Sequence, residues 1–538
     1  MKKLNITTYL NIPLTLIAGV FLISSCTPNT LNPRTTENFD NNWQFILDDN
    51  ADFSMINEGD VPWENVHLPH DWSIEQGFDK TNPSGRRGGY FPGGVGWYKK
   101  SFEIPAQQKD KRVILEFDGV YKDADIWLNN QHVGFHKHGY VSFHYDVSDF
   151  IKKDSINQLV LRLDNTDLPH DRWYSGCGIY RHVWINYVSD VHIPIWGTYI
   201  TTPGVSISEA TVALQTEVTN KNKEDAECRV VTRIYSPEKL FVQESVTQPR
   251  SVPAGEKLKF EDELQIDQPE LWSLETPVLY TAEQVVIQNG KVVDKVETTF
   301  GIREIEFSVE NGFQLNGKRI FLNGINMHHD GGSVGAAVPE WTWYTRLKTL
   351  KEMGVNAIRT SHNPHAPEIL SMCDTLGILV IDEAFDKWEI TEFSGPGWSV
   401  TIPSFNFKDN WKFYLQRFIE RDRNHPSVIL WSVGNEVVEA DRPLGTQIMK
   451  RLADFVHEFE PTRKVTAAIQ PVGHKPNGTP WDMSFEMDVV SYNYQSQYFQ
   501  TDKEKYDFII IGSETLPYYT RNYKDTDKKY VEKASWFP

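Results

Sequence analysis

The chain has 538 residues, 40% of them hydrophobic and 24% charged; these proportions fit a soluble globular protein, and the length is too great for a single core. Its formal net charge of −19 excludes the basic face that a nucleic-acid or anionic-membrane partner would need. The 17 tryptophans suit a sugar ligand, because the apolar face of a pyranose packs on a ring while its hydroxyls take polar neighbours.

The N-terminus reads as a targeting segment. Lys2 and Lys3 precede an apolar run, Ile12 to Ile23, too short to span a bilayer comfortably. The run ends in Ile23-Ser24-Ser25-Cys26, which resembles a bacterial lipoprotein cleavage box whose cysteine becomes the lipidated first residue. An ordinary signal peptide with an incidental cysteine is the alternative. Either way residues 1–26 direct export. The expected location is the periplasm or outer membrane of a Gram-negative bacterium, with membrane contact only through a lipid on Cys26. The other cysteines, Cys177, Cys228 and Cys373, are too few and too widely spaced to give a disulfide framework or a metal site.

Residues 27–40 are polar and proline-containing and read as a tether. From 41 to 188, short β-type runs such as Val113-Ile114-Leu115-Glu116-Phe117 and Leu159-Val160-Leu161-Arg162-Leu163 predict a β-sandwich. Residues 189–301 repeat the style over about 110 residues, the size of an immunoglobulin-like sandwich.

From 302 to 538 apolar runs alternate with amphipathic helical stretches. Predicted strands are Ile320-Phe321-Leu322, Ala357-Ile358-Arg359, Leu379-Val380-Ile381, Val428-Ile429-Leu430-Trp431, Val465-Thr466-Ala467, Val489-Val490-Ser491 and Phe508–Ile511. Predicted helices include Trp343–Met353, Glu368–Leu376 and Trp411–Arg423. That alternation predicts a (β/α)8 TIM barrel. Only seven strands are legible before Pro538, so the barrel reads as incomplete at its C-terminal end.

In such a barrel the working side chains stand at the C-terminal ends of strands. The polar residues there include Asn326 and His328, then Arg359 and His362, then Asp382-Glu383, Asn435-Glu436, Asn493-Tyr494 and Ser513-Glu514. A single glutamate after a strand is usually a helix cap or a surface residue. Here strands four and seven each deliver one, roughly across the mouth from each other. Cleavage of a glycoside needs such a pair: an acid for the departing oxygen and a carboxylate for the anomeric carbon, about 5–5.5 Å apart when configuration is retained.

Several long strings make the reading specific. They are Asn424-His425-Pro426-Ser427 leading into Val428–Glu436, then Asn356 to Pro364, Arg172 to Arg181, and Gly512-Ser513-Glu514. Together they resemble glycoside hydrolase family 2, from about residue 41 onward. The resemblance implies a jelly roll, an immunoglobulin-like domain and a catalytic barrel, in that order. It implies Glu436 as general acid/base, Glu514 as nucleophile and Asn435 as partner of the sugar 2-hydroxyl. Tyr494 would donate to the nucleophile, and His328, Arg359 and His362 would line the sugar pocket. Asp171 is similar to an acid that some family β-galactosidases extend from the first domain; a turn residue is the alternative.

No cofactor is expected. Some relatives hold magnesium through a Glu and a His after strand three, where Asp382-Glu383-Ala384-Phe385-Asp386-Lys387-Trp388 has no histidine, so no metal is expected either. Asn522-Tyr523-Lys524 spells the Asn-x-Lys pair of β-glucuronidases but follows Glu514 too closely to match it. The expected substrate is an oligosaccharide or other terminal β-galactoside, with β-glucuronidase or another family exo-β-glycosidase as the alternative. A non-catalytic carbohydrate-binding lipoprotein is the rival from another class, and the sequence leaves room for a homo-oligomer.

Overall fold

The computed structural model describes residues 32–515, apart from 169–170, 391, 396–397, 402–404 and 470–473. Cys26 and Asn522-Tyr523-Lys524 lie outside these residues. Among the described residues no helix is long and apolar enough to cross a membrane.

The first domain is a sandwich of two antiparallel sheets. One runs in the order Thr35–Asn38, Val183–Val188, Arg112–Phe117, Phe143–Asp146. The other has six strands, with Gly94–Phe102, Asn157–Asn165 and Ala124–Leu128 at its centre. Alternation places Val113, Leu115 and Phe117 of one sheet in the same core as Leu159, Leu161 and Leu163 of the other. One expectation needs correction: part of the segment read as a tether is structure. Thr35–Asn38 pairs with Asn186 and its neighbours along the edge, and Arg34 forks onto buried Asp294 of the second sandwich (3.0 and 2.7 Å). The segment is an exposed edge strand, so it carries no apolar alternation to betray it.

The second domain packs the sheet built on Glu209–Asn220 and Lys257–Asp267 against that built on Ala226–Tyr235, Tyr280–Gln288 and Lys291–Phe300. Val212, Leu214, Ile234 and Ala282 meet between them.

The third domain is a nearly closed barrel with seven parallel strands among the described residues. In chain order these are Gly324–Met327, Ala357–Thr360, Leu379–Glu383, Val428–Asn435, Lys464–Ile469, Val490–Asn493 and Ile510–Glu514. Strand four is buried along its whole length, as expected for a strand covered on both faces. Ile320-Phe321-Leu322, expected as the first strand, is not one. Ile320 and Leu322 instead pack at the barrel's base, where Phe307, Phe313 and Leu315 meet Ala357, Leu379, Ile429 and Val489. Between strands seven and one, Asn326 Nδ2 donates to Ser513 O (2.8 Å). The helix Pro367–Leu376 begins with proline in its first turn and ends on Gly377 at φ 66°, a left-handed cap that glycine adopts at no steric cost.

Asn424 ties the second sandwich to the barrel. Its Oδ1 accepts from Ile200 N–H and its Nδ2 donates to Thr198 O, both at 2.9 Å, so one amide side chain satisfies two backbone groups of the Thr198–Val205 strand. Asn424→Ala should therefore cost about 1–3 kcal/mol, read as a lower urea midpoint. An unchanged midpoint would show that the pair contributes nothing.

Candidate active site

The barrel mouth is organised around Arg359, at the end of strand two and 3% exposed. Its Nε and Nη2 donate to Glu383 Oε2 of strand three (2.9 and 2.7 Å). Nη2 also reaches Asn435 Oδ1 of strand four (2.8 Å). Nη1 reaches Asn326 Oδ1 of strand one (3.0 Å) and Glu514 Oε1 of strand seven (3.2 Å). Glu383 also takes the Ser432 hydroxyl (2.6 Å) and His362 Nδ1 (2.8 Å). Its side chain is fully buried, whereas Glu436 and Glu514 keep 21% and 15% of theirs exposed, so only the last two can reach a substrate.

Glu514 is held as an anion. Burial works to raise its carboxyl, but the Arg359 charge and a short bond from the Tyr494 hydroxyl outweigh it and keep the group below the ordinary carboxylate range. Burial and Arg359 hold His362 neutral. With Nδ1–H donated to Glu383, its Nε2 is an acceptor 3.7 Å from Glu514 Oε1. Tyr494 takes φ 60° just past strand six, where its N–H bonds Glu514 O (2.5 Å).

Glu436 follows strand four with φ 46°, a left-handed conformation that costs a non-glycine residue roughly 1–3 kcal/mol. Its N–H bonds Ala468 O at 2.9 Å. Its Oε1 accepts from Asn493 Nδ2 (3.1 Å) and its Oε2 from Arg172 Nη1 (3.1 Å). Asn435 accepts from Arg359 and from Asn493 (3.3 Å) and donates to Asp386 Oδ1 (3.1 Å). Adjacent residues of one strand end, Asn493 and Tyr494, thus touch the two glutamates separately.

Arg172 comes from the first sandwich. Its Nε donates to Asp386 Oδ2 (3.2 Å), and Nη2 makes a short bond to Asp386 Oδ1. Its neighbour Trp173 lies against His328 and His362, ring centroids 5.0 and 5.3 Å apart. Among the described residues Trp173 Nε1 and His328 Nδ1 are buried without a hydrogen-bond partner, and burial lowers His328 towards its neutral form. Asp171, expected in the pocket, is instead committed to the domain interface. It is 3% exposed, its Oδ2 accepts from Tyr121, Tyr140 and Ser175, and its Oδ1 accepts from Lys387 Nζ (2.8 Å). Four donors thus hold its carboxylate at the interface. Of the other expected site residues, Glu436, Glu514, Asn435, Arg359, His362 and Tyr494 form one bonded network, with His328 beside it.

Sequence reasoning missed Arg172, Trp173 and Asp386 as site residues, and gave Asn493, which stands among the strand-end polar residues, no role. The first two stand in the Arg172–Arg181 string already singled out, but nothing local says that its first two side chains cross to another domain.

Three family models match the chain: "Glycosyl hydrolases family 2, sugar binding domain" over residues 89–188, "Glycosyl hydrolases family 2" over 191–303, and "Glycosyl hydrolases family 2, TIM barrel domain" over 307–528. The chain is 37% identical over 508 residues to β-galactosidase BoGH2A of Bacteroides ovatus, covering 88% of this chain and 58% of that protein. It is 29% identical over 480 residues to a β-glucuronidase of Bacteroides fragilis, covering 86% and 64%. A crystal structure of a glycosyl hydrolase family 2 member from Bacteroides cellulosilyticus superposes with a TM-score of 0.84 at 36% identity, over 93% of this chain and 64% of that one. The chain thus spans about three fifths of the length of these relatives.

Tyr494→Phe removes the hydroxyl donor from Glu514 and should move that carboxyl upward. Selective ¹³C labelling of glutamate side chains and NMR titration would read the shift. A Glu514 signal that titrates at the same pH in both proteins would show that Arg359 alone sets its charge.

Proposed function

The chain belongs to glycoside hydrolase family 2, and from that premise we propose that it is a retaining exo-β-glycosidase acting on terminal β-galactosides. The observation that carries the reading is the pairing of an ionised, cation-backed Glu514 with Glu436 on strands three apart. Glu514 attacks the anomeric carbon as Glu436 passes its proton to the departing oxygen, breaking the glycosidic bond and forming a glycosyl ester. Water then gives its proton to Glu436 and attacks the same carbon, releasing Glu514. Asn435 serves the sugar 2-hydroxyl, and His328 Nδ1 and Trp173 Nε1 are groups that sugar hydroxyls would satisfy.

Relatives named β-galactosidase and β-glucuronidase both match. The galactoside reading is supported by BoGH2A and by the strings His70-Asp71-Trp72 and Gly93–Tyr98. Assays with p-nitrophenyl β-galactoside and β-glucuronide decide between them, and turnover of the glucuronide alone would overturn it. A 2-fluoro-β-galactoside with a good leaving group should label the peptide containing Glu514. Glu436→Gln should keep more activity on activated aryl glycosides than on a disaccharide, and azide should restore its turnover as the β-glycosyl azide. Label on Glu383, or equal loss on both substrates without azide product, would sink the residue roles.

The proposal includes export with lipid on Cys26. In a Gram-negative host, Cys26→Ala should abolish incorporation of labelled palmitate and release the protein from the membrane fraction. A variant that still takes label would disprove lipidation at this cysteine.

A further inference from the structure

We propose that Arg172 is a positioning residue for Glu436, supplied by the first sandwich, that fixes its carboxyl group for the second half of the reaction, in which Glu436 takes a proton from water. This rests on the retaining mechanism proposed above.

Three observations carry it. Both oxygens of Glu436 already face donors, Asn493 Nδ2 on Oε1 and Arg172 Nη1 on Oε2, each at 3.1 Å. Such a pattern suits an unprotonated carboxylate, which only accepts. Second, the guanidinium is fixed independently of Glu436. Its Nε and Nη2 are taken by Asp386, which is 2% exposed and is bonded in turn by Asn435. Burial acts to lower the Arg172 pKa, and Asp386 and Glu436 more than compensate, so the group stays charged. Third, the backbone around Arg172 is pinned from both sides. Asp171 is bonded to Lys387, Tyr121 and Tyr140, Tyr174 to Asp71, and Ser175 O to His329. A cation held so rigidly beside an acid/base does more than dock two domains.

Among the described residues, charged and titratable groups near Glu436 include Arg172 and, through it, Asp386 on one side, with Tyr494 and, bonded to it, Glu514 on the other. In the step concerned, the water oxygen forms a bond to the anomeric carbon, its proton passes to Glu436, and the ester bond to Glu514 breaks. Removing Arg172 frees the Glu436 carboxyl to turn away from that water, so that step should slow.

The test uses the full chain and 2,4-dinitrophenyl β-galactoside, whose leaving group needs little protonation, so kcat/KM reads formation of the intermediate and kcat its hydrolysis. Arg172→Met should lower kcat by about 10-fold or more, short of the ~10²–10⁴ that proton transfer contributes in full. KM should fall with it, and a burst of dinitrophenolate should precede the steady state. Azide, which needs no base, should restore turnover, and Arg172→Lys should keep part of the rate. If Arg172→Met fails to fold because Asp386 is left unpaired, Arg172→Met with Asp386→Asn removes cation and counterion together. Proportional loss of kcat and kcat/KM without burst or azide rescue would overturn the assignment, as would unchanged kinetics. A wild-type chain that hydrolyses no β-glycoside would overturn the functional reading, and this assignment with it.

Discussion

A guanidinium buried at the mouth of a barrel dictates most of what surrounds it. Taking such a charge out of water costs several kcal/mol unless acceptors replace the lost solvent. Arg359 finds them on four other strands: Asn326, Glu383, Asn435 and Glu514. The planar fork can satisfy them only if the strand ends lie at matching heights. One residue therefore aligns strands one, three, four and seven, and the two glutamates that matter belong to that aligned set or adjoin it. Glu383 fits the same logic. Burial pushes its carboxyl upward against the pull of Arg359 and Ser432, and it serves as structural ballast beneath the groups that face the opening.

The first sandwich reaches this centre through a short stretch in which neighbouring residues do opposite things. Asp171 faces the interface and is consumed by Lys387 and two tyrosines. Arg172 and Trp173 face the mouth and touch Glu436, His328 and His362. Behind them Asp71 accepts from Tyr174 and from the N–H groups of Ser73, Cys177 and Ala336, so it braces the segment against both its own domain and a barrel loop. Rigid support of this kind lets a domain without a catalytic glutamate contribute to a site.

The fold was legible because each domain announces its period. Alternating runs mark the sandwiches, and apolar runs separated by helices mark the barrel. The errors fell where that signal vanishes. Thr35–Asn38 is an exposed edge and so looks like linker. Ile320-Phe321-Leu322 is apolar because it seals the barrel's base, and run composition does not distinguish a seal from a strand. At the site, strand-end residues were legible from position alone. Asp171 turns to the domain interface while its neighbour Arg172, which was missed, turns to the mouth, and what hid this is direction. The contacts from Asp171 to Lys387 and from Arg172 to Glu436 join residues more than 200 positions apart, and no local pattern encodes which of two adjacent side chains turns inward.

The two glutamates show how one residue type can carry two tasks. Glu514 sits against a cation shared with Glu383, and a phenol bonds its other oxygen, so its charge persists as pH falls into the range where free carboxyls take up protons. The attack on carbon proposed for it requires that charge, since a protonated nucleophile is no nucleophile. Glu436 also has a cation, Arg172, which is paired with Asp386, and its other oxygen accepts from the Asn493 amide. In the proposed mechanism Glu436 gives and takes a proton in each cycle, and its side chain, 21% exposed, stays open to both partners. Each arginine is paired with a buried acid, Glu383 for Arg359 and Asp386 for Arg172, so what distinguishes the two glutamates is the neutral donor beside the cation: a phenol on Glu514 and an amide on Glu436.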